Sequence, residues 1–172
     1  MNILEVKQFD VVNGPGIRMS IWIAGCTNAC EGCWSPHTWN RNQGTPIDKI
    51  INTIIKYSKH PQVGGISILG GDPFCEFMNK GDTDIFNLIS LLAKSGKSIW
   101  LWTGYRFEDI VDKCKRFPPD IINSLQDLEV IVDGRFILEK KDMNLLWRGS
   151  SNQRIIDIKE SIKLNQIILY DI

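Results

Sequence analysis

The sequence predicts an α/β fold in the form of a partial, open (β/α) barrel. Three observations predict it. Short apolar runs alternate with amphipathic stretches, the pattern of right-handed βαβ units on a parallel sheet. Cysteine, glycine, threonine or aspartate follows each run, so polar groups gather at the carboxyl ends of strands, where such sheets bind ligands. A chain of 172 residues is too short for a full eight-stranded barrel of about 250.

The elements follow in order. Residues 17–24 (IRMSIWIA) read as a strand ended by Gly25. Residues 46–59 read as a helix, with Thr45 as N-cap and Pro46 at the first helical position. Residues 65–69 (GISIL) are a short buried strand before Gly70-Gly71. Residues 83–94 repeat apolar side chains at Ile85, Leu88, Ile89 and Leu92, a helical period, and Gly96 closes that helix. Residues 98–102 (SIWLW) form the next strand, and 107–116 a helix stopped by Pro118-Pro119. Residues 128–132 (LEVIV) are a strand ending at Asp133-Gly134. The tail, 155–170, adds one or two strands around a short helix. No linker or repeat interrupts the chain, so 1–172 reads as one domain.

Twenty basic and twenty acidic residues give a formal net charge of zero. Bulk charge therefore points to neither nucleic acid nor membrane. No apolar run reaches the length of about 18 residues that suggests a membrane span, and residues 1–10 do not read as a secretory signal. The expected location is the cytoplasm. Five cysteines, three of them within eight residues, argue against a disulfide framework.

Those three are Cys26, Cys30 and Cys33, in the segment GCTNACEGCW. Thiolates are the ligands of iron–sulfur clusters. A four-iron cube held by three cysteines keeps one iron free, and a free corner on a redox cluster is a substrate site. Zinc is the main alternative, but it takes four tetrahedral ligands, usually from two separated pairs. A fourth would have to come from His37, Cys75 or Cys114, and no second pair exists. Buried structural thiols are a further alternative, one that explains Cys75 and Cys114 better than a glycine-flanked triplet. His37 and His60 read as incidental.

At the following strand ends, Gly70 and Gly71 carry no side chain, so a ligand can approach the backbone closely; an ordinary Gly-Asp-Pro turn at Asp72-Pro73 is the competing reading. Asn13-Gly14-Pro15-Gly16 reads as a tight turn. Thr103 and Asp133 are placed to contact a ligand or to serve as a cap and a turn residue. Residues 148–154 (RGSSNQR) read as a solvated polar loop, or as one that docks a partner or contacts the cofactor.

The spacing Cys-x3-Cys-x2-Cys is similar to the signature of the radical S-adenosylmethionine (SAM) superfamily. Many members carry an aromatic residue just before the third cysteine. Here that position is Gly32, and the aromatic Trp34 comes just after, as in the small activating proteins of anaerobic ribonucleoside-triphosphate reductases. The sequence resembles that family over almost its whole length, through VNGPGIR (12–18), ILGGDP (68–73), WLWTGY (100–105), VDGRF (132–136) and WRGSSNQR (147–154).

The resemblance implies a shortened open barrel of the radical SAM type, a [4Fe–4S] cluster on the three cysteines, and SAM on the open iron. It implies that the methionine ammonium is received by the Gly70 and Gly71 carbonyls and the Asp72 carboxylate. Gly32, Cys33, Trp34, Thr103 and Asp133 are further contact candidates, and the Asn13-Gly14-Pro15-Gly16 turn is placed near the active-site mouth. The implied activity is that of an oxidoreductase: an external reductant such as flavodoxin reduces the cluster, SAM is cleaved to a 5′-deoxyadenosyl radical, and that radical takes a hydrogen atom from a glycine Cα of the anaerobic reductase's large subunit. An activator of another glycyl-radical enzyme, a small-molecule radical SAM enzyme of the deazaguanine-forming kind, and a zinc-stabilised binding module are the competing readings.

Overall fold

The computed structural model describes residues 1–172. Strands β1 (Asn2–Asp10), β2 (Arg18–Ile23), β3 (Thr45–Pro46), β4 (Gly65–Gly70), β5 (Ser98–Trp102), β6 (Val130–Asp133) and β7 (Arg154–Asp157) form one open sheet, in the order β3-β1-β2-β4-β5-β6-β7. The helices are α1 (Ile47–Ser58), α2 (Cys75–Lys80), α3 (Asp84–Ala93), α4 (Phe107–Cys114), α5 (Pro119–Leu125) and α6 (Ile158–Leu164).

The four central strands, β2, β4, β5 and β6, are parallel. Their carboxyl ends therefore share one rim, as the sequence predicts. The flanks differ from an all-parallel expectation: β1 pairs antiparallel with β2 and β3, and β7 antiparallel with β6. β1 was not legible because its burial alternates weakly, with only Ile3 and Asp10 buried. The expected N-cap at Thr45 is corrected: Thr45 and Pro46 pair with Ile3 and Asn2, and Pro46 caps α1 without a side-chain bond. Pro118-Pro119 stops one helix and also starts another, since Pro119 is the first residue of α5; proline lacks the amide hydrogen that a first helical turn leaves unused. At six residues, α2 is too short to show a period.

Strand alternation divides the core in two. Met19, Ile21, Ile23, Ile66, Ile68, Ile99, Leu101 and Ile131 pack with the apolar faces of α1, α3, α4 and α5. The opposite face carries Trp100, Val130, Val132 and Ile155, against which Trp102, Trp147 and Tyr170 pack. Arg18 and Ser67 lie on that second face, 1% and 0% exposed. Its lower part is closed by residues 11–17, which join β1 to the amino end of β2. Ser67 Oγ donates to the Asn13 carbonyl at 2.5 Å, and a Cβ on Gly14 would sit 2.7 Å from Arg18 Cδ. This loop leaves from the amino ends of the parallel strands, opposite the rim, which corrects its expected place at the mouth. No helix is long and apolar enough to cross a membrane.

Candidate metal centre at the strand ends

The cysteine loop leaves the rim at Gly25. Two backbone bonds fix its entry: Gly25 N donates to Thr38 O at 2.8 Å and Cys26 N to Trp39 O at 3.2 Å. Cys26, Cys30 and Cys33 are all half-buried and unbridged. The loop turns through left-handed backbone at Ala29 (φ 46°) and Gly32 (φ 68°). At Gly32 the left-handed φ disfavours any side chain, and a Cβ would press on the movable end of Leu138. An aromatic residue before Cys33 would be strained in this backbone. Trp34 is 52% exposed, with Lys141 Nζ 5.8 Å from its ring centre.

Burial pushes the Cys26 thiol up to about 11, against a lowering contribution from the Asn28 backbone amide. A bound cation would reverse this balance, since metal coordination requires and favours the thiolate. The Ser35 amide donates to Cys33 Sγ at 3.4 Å. No group of three His, Cys, Asp or Glu side chains is gathered closely enough to hold a metal ion as the chain stands. Two of the three fourth-ligand candidates for zinc, Cys75 and Cys114, are buried. Cys114 is part of the helix-side core and Cys75 lies beside Thr27, whereas His37 is exposed with its ring stacked near Trp22.

The glycine turn touches this loop directly. Gly71 N donates to Ile23 O at 2.7 Å and Asp72 N to Gly25 O at 2.8 Å. A Cβ on Gly70 would lie 2.6 Å from Ile23 N, and one on Gly71 would lie 2.3 Å from Gly25 O. The close approach that the glycines permit is thus, in the first place, that of the chain's own backbone. Asp72 is 3% exposed. Its Oδ1 accepts from Thr103 Oγ1 at 2.7 Å and Phe74 N at 3.1 Å; its Oδ2 accepts from Asn28 Nδ2 at 2.7 Å and Gly104 N at 2.9 Å. Burial raises this carboxyl to about 6 despite the four donors. Both oxygens accept bonds from the chain, so Asp72 braces the rim between the glycine turn, the cysteine loop and the residues after β5.

Thr103 and Asp133 also make bonds within the chain. Thr103 Oγ1 also accepts from Tyr105 N at 3.2 Å. Asp133 Oδ2 accepts from Phe107 N at 2.8 Å and so caps α4 from a distant strand, where Arg106 supplies no cap. Arg154 Nε donates to Asp133 Oδ1 at 2.9 Å, and its fork binds Glu108 at 2.9 and 2.6 Å. Hydrogen bonding to Arg154 holds the Glu108 carboxyl at about 2. Residues 148–154 are also built inward: Gln153 Oε1 accepts from Gly149 and Ser150 amides, and Asn152 Nδ2 donates to Arg135 O at 2.8 Å.

The structure therefore joins the cysteine loop, Asp72 and Thr103 into one assembly, and ties Asp133 to α4 and Arg154. Asn28, Gly104 and Arg135 escaped the sequence reading. Asn28 lies inside the cysteine spacing, and Gly104 follows Thr103; their positions were the available signal.

A family profile described as a 4Fe-4S single cluster domain matches residues 12–156. The chain is 38% identical over 160 residues to the anaerobic ribonucleoside-triphosphate reductase-activating protein of Escherichia coli K12, covering 89% of this chain and 96% of that one. It is 36% identical to the protein of that name from Enterobacteria phage T4, covering 90% and 93%, and 33% identical to that from Haemophilus influenzae, covering 90% and 97%. With the three-cysteine loop at the strand ends, these likenesses decide the family: the chain belongs to the anaerobic ribonucleoside-triphosphate reductase-activating proteins.

Proposed function

We propose that this chain is a radical SAM activase that makes a glycyl radical on an anaerobic ribonucleotide reductase, and that its sheet is a shortened form of the radical SAM open barrel. The observation that carries the reading is three unbridged, half-buried thiols in one loop, in contact with a glycine turn on the same rim. Three soft ligands on a loop that offers no fourth suit an iron–sulfur cluster with one open iron.

Cys26, Cys30 and Cys33 would hold the cluster. A bound [4Fe–4S] cluster supplies the electron that cleaves SAM at its sulfonium, so that the adenosyl fragment can take a hydrogen atom from the reductase's glycine. The chain's residues bind and orient. Gly70 and Gly71 offer backbone acceptors toward the methionine ammonium, a charge-assisted bond. Asp72 and Thr103 hold that turn at a fixed distance from the cysteine loop. Gly32 and Trp34 border the site from the loop, and Asp133 borders it from the end of β6. An open rim suits a protein substrate, whose glycine segment completes the enclosure. The electron donor is of the flavodoxin kind, and the setting is the cytoplasm, where thiols stay reduced.

The test is anaerobic purification with iron and sulfide analysis, followed by incubation with dithionite and SAM. Brown protein with about four irons per chain, forming 5′-deoxyadenosine and methionine, is expected. Colourless protein with stoichiometric zinc would sink the reading.

A further inference from the structure

We infer that Asn28 is a positioning residue for the cluster, a latch that locks the arc between Cys26 and Cys30 to the glycine turn and to the end of β5. The inference rests on the function proposed above. It begins from a deficit: residues 27–29 take part in no backbone–backbone hydrogen bond. An arc with two ligands at its ends and no ladder of its own must be held by side chains, or it stays mobile.

Thr27 Oγ1 makes longer contacts, accepting from Asn79 Nδ2 at 3.3 Å and lying 3.4 Å from Cys75 Sγ; the shorter holding is at Asn28, from both sides. Its side-chain amide donates to Asp72 Oδ2 at 2.7 Å, and its carbonyl accepts from the Arg135 guanidinium. The fit is close enough to dictate a third residue. A Cβ on Gly104 would lie 2.4 Å from Asn28 Nδ2, so the end of β5 must be glycine for the latch to close. Three segments that the sequence separates by up to 76 positions (28 to 104) thus meet around one amide group. Arg135 is held in turn, because Asn152 Nδ2 bonds its carbonyl and Gln153 Nε2 bonds Gly134 O at 3.0 Å. The polar 148–154 block thereby becomes the outer support of the cysteine loop.

The consequence is that ligand loop and glycine turn move as one body. Groups behind the ligands commonly change metal affinity by about 10–100-fold, and here the group behind the ligands is also the link to the turn proposed for SAM. Loosening Asn28 should therefore disturb both iron retention and the response of the cluster to SAM, although Asn28 itself is no ligand.

The experiment loads the parent chain, Asn28→Ala, Asn28→Asp and Arg135→Ala with iron and sulfide under anaerobic conditions. Iron release to a ferrous chelator is timed, and EPR spectra of the dithionite-reduced proteins are recorded with and without SAM. All variants keep three thiols and should load. Asn28→Ala should release iron about tenfold faster than the parent and show a weakened SAM-induced spectral change. Asn28→Asp, of nearly the same size but facing Asp72 with a carboxylate, should do no better. Arg135→Ala removes an exposed group and should shift release in the same direction by less. Release and SAM response equal to the parent's in Asn28→Ala would overturn the latch. If that variant does not fold, parent-like release in Arg135→Ala overturns it instead. A parent chain that takes up no iron would sink the functional reading itself, and the latch with it.

Discussion

The two ends of the parallel strands are built on opposite plans. At the amino ends the chain satisfies itself. Arg18 is a fully buried cation, yet every bond it makes is to a neutral acceptor: Ser67 Oγ at 2.7 Å, Ser98 Oγ at 3.1 Å, and the Ile66 and Ser98 carbonyls at 2.7 and 3.2 Å. Its guanidinium lies 5.4 Å from the Trp100 ring centre, and burial lowers its pKa to about 10. At the carboxyl ends the framework is equally tight around Asp72 and Asp133, but three thiols are left half-exposed and unbridged. The contrast teaches where the fold is finished by protein and where it is left for a ligand. Self-satisfied polar groups mark the first, under-used soft ligands the second.

Four substitutions probe that contrast. The largest effect belongs to the ligands. Cys33→Ser should abolish cluster loading, read as loss of iron and of absorption near 400 nm, while the metal-free fold changes by less than about 0.5 kcal/mol, as for sites outside the core. A large loss of stability would mean that the thiols are structural.

Arg18→Met should do the reverse. It removes the guanidinium from the Ser98 hydroxyl and two carbonyls in a closed face, while Ser67 Oγ keeps its bond to the Asn13 carbonyl; three groups at the low end of about 1–3 kcal/mol each cost about 3 kcal/mol. Urea unfolding should show that loss, and the protein that remains folded should load iron normally. Loss of loading out of proportion to folding would break the distinction between the ends.

Gly71→Ala lies where the two plans meet. Its methyl group would press on the Gly25 carbonyl, one residue before the first ligand, with nowhere cheap to go. A cost of roughly 2 kcal/mol, typical of strained or overpacked sites, should come with faster iron release. A stable variant with normal retention would show that the turn and the cysteine loop are not coupled.

The smallest effect is at Glu108, which is 40% exposed. Glu108→Gln should cost about 0.5 kcal/mol, discounted for solvent screening. The sign follows from linkage: the folded carboxyl is held at about 2, below its ordinary 4.5. The parent's advantage is therefore complete above about pH 4.5 and disappears as pH falls toward 2. An advantage that grows on acidification would contradict the Arg154 pairing.

The central strands and the ligand loop were legible because each has a local signature. Residues 98–102 are a dense apolar run, and β5 spans the same five residues. The three cysteines announce themselves by spacing. What escaped depends on partners distant in sequence. β1 lies second in the sheet, and its exposed side chains hide its period; α2 is too brief to have one. The bracing of Asp72 was not legible, because its four donors come from residues 28, 74, 103 and 104, and only folding brings them together. The bond to Asp133 from Arg154, on the neighbouring antiparallel strand, was likewise not legible.

The most direct measurement is EPR spectroscopy of the anaerobic reductase after incubation with this protein, SAM and a low-potential reductant, with Cys30→Ser run in parallel. A glycyl-radical signal on the reductase is expected with the parent chain, and none with the variant. A signal of equal size from Cys30→Ser, or none from an iron-loaded parent that cleaves SAM, would contradict the proposed activity.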